Sequence, residues 1–417
     1  QHLDEIGIRN DSNINSISTE LFMKLHLVKS HNVENHISDN VKSLPPSGIR
    51  EFFDIVYNTP DCISLGVGEP DFVTPWRISD SGIYAIKDGN THYTSNKGLL
   101  ELRQAIAAHI KKNHGIEYNP ETQVLITIGV SEGLDIALRS IVNPGDEIIY
   151  FEPCYVSYAA TIKLAYGKAV TIATHFKDGF AIDIDAVKKA ITSKTKAIML
   201  NYPSNPTGAS ISKEHLEAIA AIAIANNLIV ISDEIYDAIT YNGEHVSIIS
   251  IPGMAERTIY LNGFSKAYAM TGWRLGYACG PEPIISAMNK IHQYTALCAP
   301  SIAQYAALEA LQRGQRDVAS MRSQYLKRRN FITARLNEMG LPCLPPKGAF
   351  YAFPDISSTG LSSQEFALKL LKSHKVAVVP GTAFGSSYDN HIRCAYATSM
   401  EQLKEAMDRM EDFVKGL

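Results

Sequence analysis

Residues 228–280 read LIVISDEIYDAITYNGEHVSIISIPGMAERTIYLNGFSKAYAMTGWRLGYACG. Three short apolar runs stand in this stretch: LIVISD at 228–233, TIYLNG at 258–263 and LGYACG at 275–280. Runs of this length and composition predict strands buried on both faces rather than helices. The first ends on Asp233, and the second breaks at Asn262-Gly263 and is followed closely by Lys266.

Working outward, the same signal recurs upstream in QVLITIG (123–129), DEIIYF (146–151), AVTIAT (169–174) and KAIMLNY (196–202). Helical patterns lie between several of these runs. In SEGLDIALRSIV, for example, Leu134, Ala137, Leu138 and Ile141 fall at i, i+3, i+4 and i+7. The alternation predicts an α/β fold with a mainly parallel seven-stranded sheet covered on both faces. Ligands of such sheets sit at the carboxyl ends of the strands.

The bulk of the chain narrows the possible functions. Its 417 residues, 45% of them hydrophobic, suffice for a large core. A formal charge of -4, without long blocks of like charge, argues against nucleic acid as a partner. Cys62, Cys154, Cys279, Cys298, Cys343 and Cys394 are scattered, with neither C-x-x-C pairs nor zinc spacing, and read as free thiols. No membrane-spanning run and no signal-peptide pattern is evident, so a cytoplasmic location is expected.

Residues 1–42 differ, being rich in Asn, Ser, His and Ile, and read as a weakly structured extension with one helix at 18–28. Asp4, Glu5, Asp11 and Glu20 within them argue against a transit peptide. His26, His31 and His36 are spaced so that successive ones fall on different helix faces, and solvated surface is the expectation for them.

Four strand ends carry unusual residues. Gly129-Val130-Ser131 opens a helix, so exposed amides and a helix dipole face any anion placed there. The same glycine also reads as a plain turn. Asn205, in PSNPTG at 203–208, is held between rigid neighbours where its amide can bond a ligand oxygen. Asp233 lies at the end of a buried run, where a carboxylate calls for a cationic partner, although a helix cap is the alternative. Lys266 lies beyond the next run, with Arg274 further on.

These groups suit one chemistry. A lysine amine condenses with an aldehyde cofactor, and a carboxylate facing a pyridine nitrogen keeps that ring protonated as an electron sink. That describes pyridoxal 5'-phosphate. Its phosphate is suited by the loop at 129–131, Ser265 and Arg274, and its phenolic oxygen by Asn205 and Tyr236.

The set Asn205-Pro206-Thr207-Gly208, Ser232-Asp233-Glu234-Ile235-Tyr236, Ser265-Lys266 and Gly272-Trp273-Arg274-Leu275-Gly276 resembles the class I aminotransferases of the PLP-dependent fold type I group. The prokaryotic subgroup of aspartate, aromatic and N-acetyl-diaminopimelate aminotransferases is the nearest in pattern, and the resemblance runs from about residue 43 onward. It implies that Lys266 forms the bond to the cofactor and then moves the substrate's proton. Asp233 would pair with the pyridine nitrogen, and Tyr236 and Asn205 with the phenolic oxygen. Tyr155 would stack on the ring, with core packing as its plainer alternative. Gly129, Val130, Ser131, Ser265 and Arg274 would hold the phosphate, and Tyr93 would reach a neighbouring subunit's phosphate site, implying a homodimer with shared active sites.

For the substrate, the resemblance implies that Arg393, in HIRCAYATS, binds the α-carboxylate with Asn205 and the backbone of Gly68 nearby. Gly263 replaces a serine common in the wider family. Ser131 stands where aspartate-selective members often carry lysine, and PPSGI (45–49) with Tyr294 in HQYTALCAP offers apolar pocket edges. The expected reaction is ping-pong transfer of an amino group from an L-amino acid, aromatic or broadly specified, to a 2-oxo acid such as 2-oxoglutarate. An aspartate or N-acetyl-LL-diaminopimelate aminotransferase and a carbon-sulfur β-lyase are the alternatives.

The expected domains are a segment 43–84 contributing to the small domain and active-site entrance, a large PLP-binding domain 85–310 and a small C-terminal domain 311–417. In the last, MRSQYLKRRNFITARLNEM, SSQEFALKLLKS and MEQLKEAMDRMEDFV read as helices, with GAFYAF, VAVVP and HIRCAYA as strands.

Overall fold

A computed structural model describes residues 33–45, Val56 and 59–417. The chain divides into two units, Gln1–Pro45 and Pro46–Leu417. In the first unit a 3-10 turn, Val33–His36, precedes a one-turn helix, Asp39–Lys42, whose N-terminus is capped by Ser38. The helix expected at 18–28, with His26 and His31, lies outside the described residues.

The strands of the second unit are β1 (Ile63–Ser64), β2 (Val124–Thr127), β3 (Glu147–Glu152), β4 (Lys168–Ala173), β5 (Thr195–Asn201), β6 (Ile229–Asp233), β7 (Thr258–Gly263), β8 (Gly276–Cys279), β9 (Tyr351–Ala352), β10 (Val376–Ala377), β11 (Val379–Pro380) and β12 (Ile392–Ala395). Seven of them form one sheet in the order β2-β8-β7-β6-β5-β3-β4. Only β8 runs antiparallel to its neighbours; β7, β6, β5, β3 and β4 pair in parallel. The central strands β7 and β8 are buried along their length and β6 at all but its first residue, as continuous apolar runs require when helices cover both faces.

Parallel pairing brings the carboxyl ends of β5, β6 and β7 to one edge. Asn201 lies beside Asp233, and Asp233 beside Leu261. The helix Gly129–Ile141 starts at Gly129, which takes φ 68°, a left-handed value open to glycine. That turn points the first amides of the helix towards the same edge.

The C-terminal helices form as the pattern predicts, at Gln315–Glu338, Ser363–His374 and Met400–Lys415. Ser362 and Glu365 make a reciprocal capping box on the second, and Ser399 caps the third. The order β11-β12-β9 makes an antiparallel three-stranded sheet with β12 in the middle, which places Arg393 on a strand held from both sides. β1 pairs in parallel with β10, so residues just before Gly68 are anchored to this C-terminal part.

Candidate active site

The strand ends surround a cavity of about 580 Å³, lined by Gly68, Val130, Ser131, Tyr155, Asn205, Asp233, Tyr236, Ser265, Lys266, Arg274 and Arg393 among others. Lys266 and Asp233 therefore face one chamber, as the sequence reading requires. Gly129 supports this wall from behind: a Cβ there would stand 2.8 Å from Nη2 of Arg274. Tyr93 is set apart, 81% exposed and outside this lining.

Lys266 Nζ donates to the Gly68 carbonyl at 2.7 Å. Burial pulls its amine down to about 8; Glu69 is the strongest charge opposing that shift, while Arg393 and Arg274 reinforce it. Asp233 is 5% exposed. Burial pushes its carboxyl up to about 6, against hydrogen bonds from the Tyr158 hydroxyl at 2.7 Å and the Ile235 N–H at 3.2 Å. Among the described residues Asp233 makes no ion pair; its side-chain partner is the neutral Tyr158 phenol, and the cation expected for it on sequence grounds is the ring nitrogen of the cofactor.

The adjacent acid has a different fate. Glu234 is buried too, but its carboxylate accepts from Ser232 at 2.8 Å and Ser247 at 2.7 Å and pairs with His245 at 2.6 Å. With those oxygens occupied, Glu234 holds the loop after β6 in place. Asp233 is the acid left facing the cavity.

Asn205 joins the two halves of the site. Its backbone N–H donates to Asn201 at 3.2 Å, and its side-chain oxygen accepts from Arg393 Nη1 at 2.9 Å. That leaves its NH2 group as a donor. Arg393 Nη2 donates to the Gly66 carbonyl at 2.6 Å, and the guanidinium lies 4.5 Å from the Tyr351 ring and 4.8 Å from the Phe384 ring. Arg274 holds φ 53°, a strained value for a residue with a side chain, and its Nη1 reaches the Thr271 carbonyl at 3.0 Å.

Sequence reasoning missed Tyr158, Tyr351, Asn201 and Glu69. Tyr155 stands just before the helix Ser157–Leu164, where the Tyr158 N–H bonds its carbonyl at 3.1 Å, and the two rings meet edge to face at 5.8 Å. Nothing in GAFYAF marks Tyr351. Tyr294, expected at the pocket edge, is 84% exposed and outside the cavity lining, because the buried side of its helix is taken by His292, paired with Glu132 at 2.6 Å. Of PPSGI, positions 46–49 lie outside the described residues.

A half-buried lysine and a buried carboxylate facing one chamber at the carboxyl ends of a parallel sheet suit an enzyme built around a pyridine aldehyde cofactor. Comparison with known proteins agrees. The chain matches the model of the family Aminotransferase class I and II over residues 60–410, and it belongs to that family. It is 45% identical over 382 residues to aromatic-amino-acid aminotransferase 2 of Thermococcus litoralis, covering 91% of this chain and 98% of the relative. It is 46% identical over 382 residues to an aspartate aminotransferase of Pyrococcus abyssi, with the same coverage. The solved structure of an aromatic aminotransferase from Pyrococcus horikoshii superposes with a TM-score of 0.84 at 46% identity, covering 88% of this chain and 99% of that one. The protein is a PLP-dependent aminotransferase of fold type I.

The residues present fit the cofactor. Asp233 is a buried carboxylate lacking a cation, and Arg393 Nε is buried with no partner among the described residues. Ser131, Ser265, Arg274 and the first amides of the helix Gly129–Ile141 together form a donor set for a phosphate.

Proposed function

We propose that the chain moves an amino group from an L-amino acid, with aromatic or broad preference, to a 2-oxo acid such as 2-oxoglutarate, in two ping-pong halves. The observation that carries this reading is that Lys266, Asp233 and Arg393 line one cavity. When bound, the cofactor supplies an electron sink for the carbanion formed at the substrate's α carbon.

The chain's own residues do the rest. Lys266 Nζ, its basicity lowered by burial to about 8, would take the α proton in its uncharged form and return it on the cofactor side. Asp233 keeps the proton on the ring nitrogen, oriented by Tyr158. Tyr236 and the free NH2 of Asn205 would hold the cofactor's phenolic oxygen, and Tyr155 would lie along its ring. Arg393 grips the α-carboxylate beside Gly68 and Asn205, which fixes the angle at which the α C–H bond meets Lys266. Val130, Ser131, Ser265 and Arg274 hold the phosphate.

The preference for neutral side chains is supported by the charges of the cavity wall. Its cations are Lys266, Arg274 and Arg393, each already assigned, and Ser131 offers no charge to a side-chain carboxylate. The exposed Tyr93 suits a homodimer in which each copy completes the other's phosphate site. Residues 85–310 act as the large domain, and 311–417 with 43–84 as the small one. The enzyme works in the cytoplasm.

Rapid mixing of the cofactor-loaded protein with Tyr, Phe, Asp, Ala, Met or N-acetyl-diaminopimelate tests this. Tyrosine and phenylalanine are expected to bleach the cofactor absorbance fastest. Faster bleaching by aspartate overturns the preference, and pyruvate release from cystathionine without an oxo acid acceptor points to a β-lyase.

A further inference from the structure

The hydroxyls of Tyr236 and Tyr351 lie 2.7 Å apart. The first residue follows β6 and the second opens β9, so the contact joins the parallel sheet to the antiparallel one. Both side chains are buried, at 4% and 1% exposure, and their rings meet edge to face at 5.7 Å. Both also line the cavity, and each hydroxyl has the other as its side-chain partner there.

Two further contacts set the direction of this bond. The Arg393 guanidinium lies 4.5 Å from the Tyr351 ring, closer than Lys266 Nζ lies to the Tyr236 ring at 6.0 Å, and the nearer cation makes the Tyr351 hydroxyl the more acidic of the pair. The more acidic hydroxyl is the better donor. Gly68 also makes room for this hydroxyl, since a Cβ at that position would fall 2.5 Å from Tyr351 Oη. The carbonyl of the same glycine accepts from Lys266.

Resting on the cofactor site proposed above, we infer that Tyr351 donates its hydroxyl proton to Tyr236 and so leaves the Tyr236 proton for the phenolic oxygen of the cofactor. Tyr351 is a positioning residue acting through Tyr236. Two donors in series polarise one another, so the Tyr236 hydroxyl draws more electron density from that oxygen than an isolated phenol would. The oxygen then holds the proton at the lysine-cofactor link less tightly. Because the chain of donors starts beneath Arg393, a carboxylate arriving on that guanidinium is sensed at the phenolic oxygen.

The test is a pH titration of the visible absorbance of the cofactor-loaded protein, without substrate, for wild type, Tyr351→Phe, Tyr236→Phe and the double variant. Tyr351→Phe keeps the ring beneath Arg393. It is expected to raise the apparent pKa by about half a unit, a threefold change in proton affinity. Tyr236→Phe is expected to raise it further, and the double variant to match Tyr236→Phe alone. An unshifted Tyr351→Phe, or shifts that add in the double variant, overturns the inference. Should Tyr351→Phe fail to fold, Gly68→Ala displaces the hydroxyl instead; a shift in the same sense supports the inference and none overturns it. If Tyr236→Phe itself leaves the titration unchanged, the proposed placing of the cofactor falls along with the inference.

Discussion

The Tyr158 hydroxyl donates to Oδ2 of Asp233 at 2.7 Å, across 75 residues of sequence. A phenol, rather than a cation, therefore orients the buried carboxylate. A neutral donor leaves the negative charge uncompensated and so available to a protonated ring nitrogen. Tyr158→Phe removes that donor while keeping the ring. It is expected to lower kcat about tenfold with KM nearly unchanged, and steady-state kinetics alongside cofactor titration check this.

Lys266 is expected to be the point of covalent attachment. In Lys266→Ala, borohydride treatment should leave no cofactor mass on the chain, whereas wild type should carry it on the peptide containing Lys266. Turnover should fall by roughly four orders of magnitude, as loss of a general base and nucleophile together implies.

Arg393 donates to Asn205 at 2.9 Å and to the Gly66 carbonyl at 2.6 Å, a geometry that a lysine ammonium cannot reproduce. Arg393→Lys should cut kcat/KM about a hundredfold, while the absorbance of the bound cofactor stays as in wild type. An equal loss of cofactor would show that Arg393 supports the cofactor site instead.

The cofactor-free protein should show what it costs to build this chamber. Burial raises the folded pKa of Asp233 from 3.8 to about 6, so its contribution to stability is fully present below 3.8 and is lost as pH rises through 6. Lys266 is lowered from 10.5 to about 8, so its contribution is present above 10.5 and is lost as pH falls through 8. At pH 7 both penalties apply. Asp233→Asn should therefore stabilise the cofactor-free protein at pH 7 by up to about 3 kcal/mol, and at pH 4 by only about 0.6 kcal/mol. Thermal unfolding at the two pH values measures the difference. A variant no more stable than wild type at pH 7 would contradict the burial argument.

Much of the sheet is legible in the chain before folding is considered. The seven apolar runs appear as strands with ends shifted by a residue or two, because a strand covered on both faces must be apolar at every position. Lys266 and Asp233 are legible for a related reason: a charge where such a run ends is expensive unless it is used.

What could not be read is partnership. Nothing in the chain around Asp233 names Tyr158 as the side chain that holds it. Tyr236 meets Tyr351 across 115 residues, and Arg393 meets Asn205 across 188. Glu234 and Asp233 are neighbours of the same chemical type, and only the positions of Ser232, Ser247 and His245 show that one is occupied and the other open to the cavity.

Local composition and periodicity were enough to establish the strands, their helices and the charged groups at the strand ends, since those depend on which face of each element must leave water. The pairing of hydroxyls, the direction in which Arg393 is held and the depressed basicity of Lys266 arose from folding. They depend on the distances and the water-poor surroundings created when strands far apart in the chain close around one cavity.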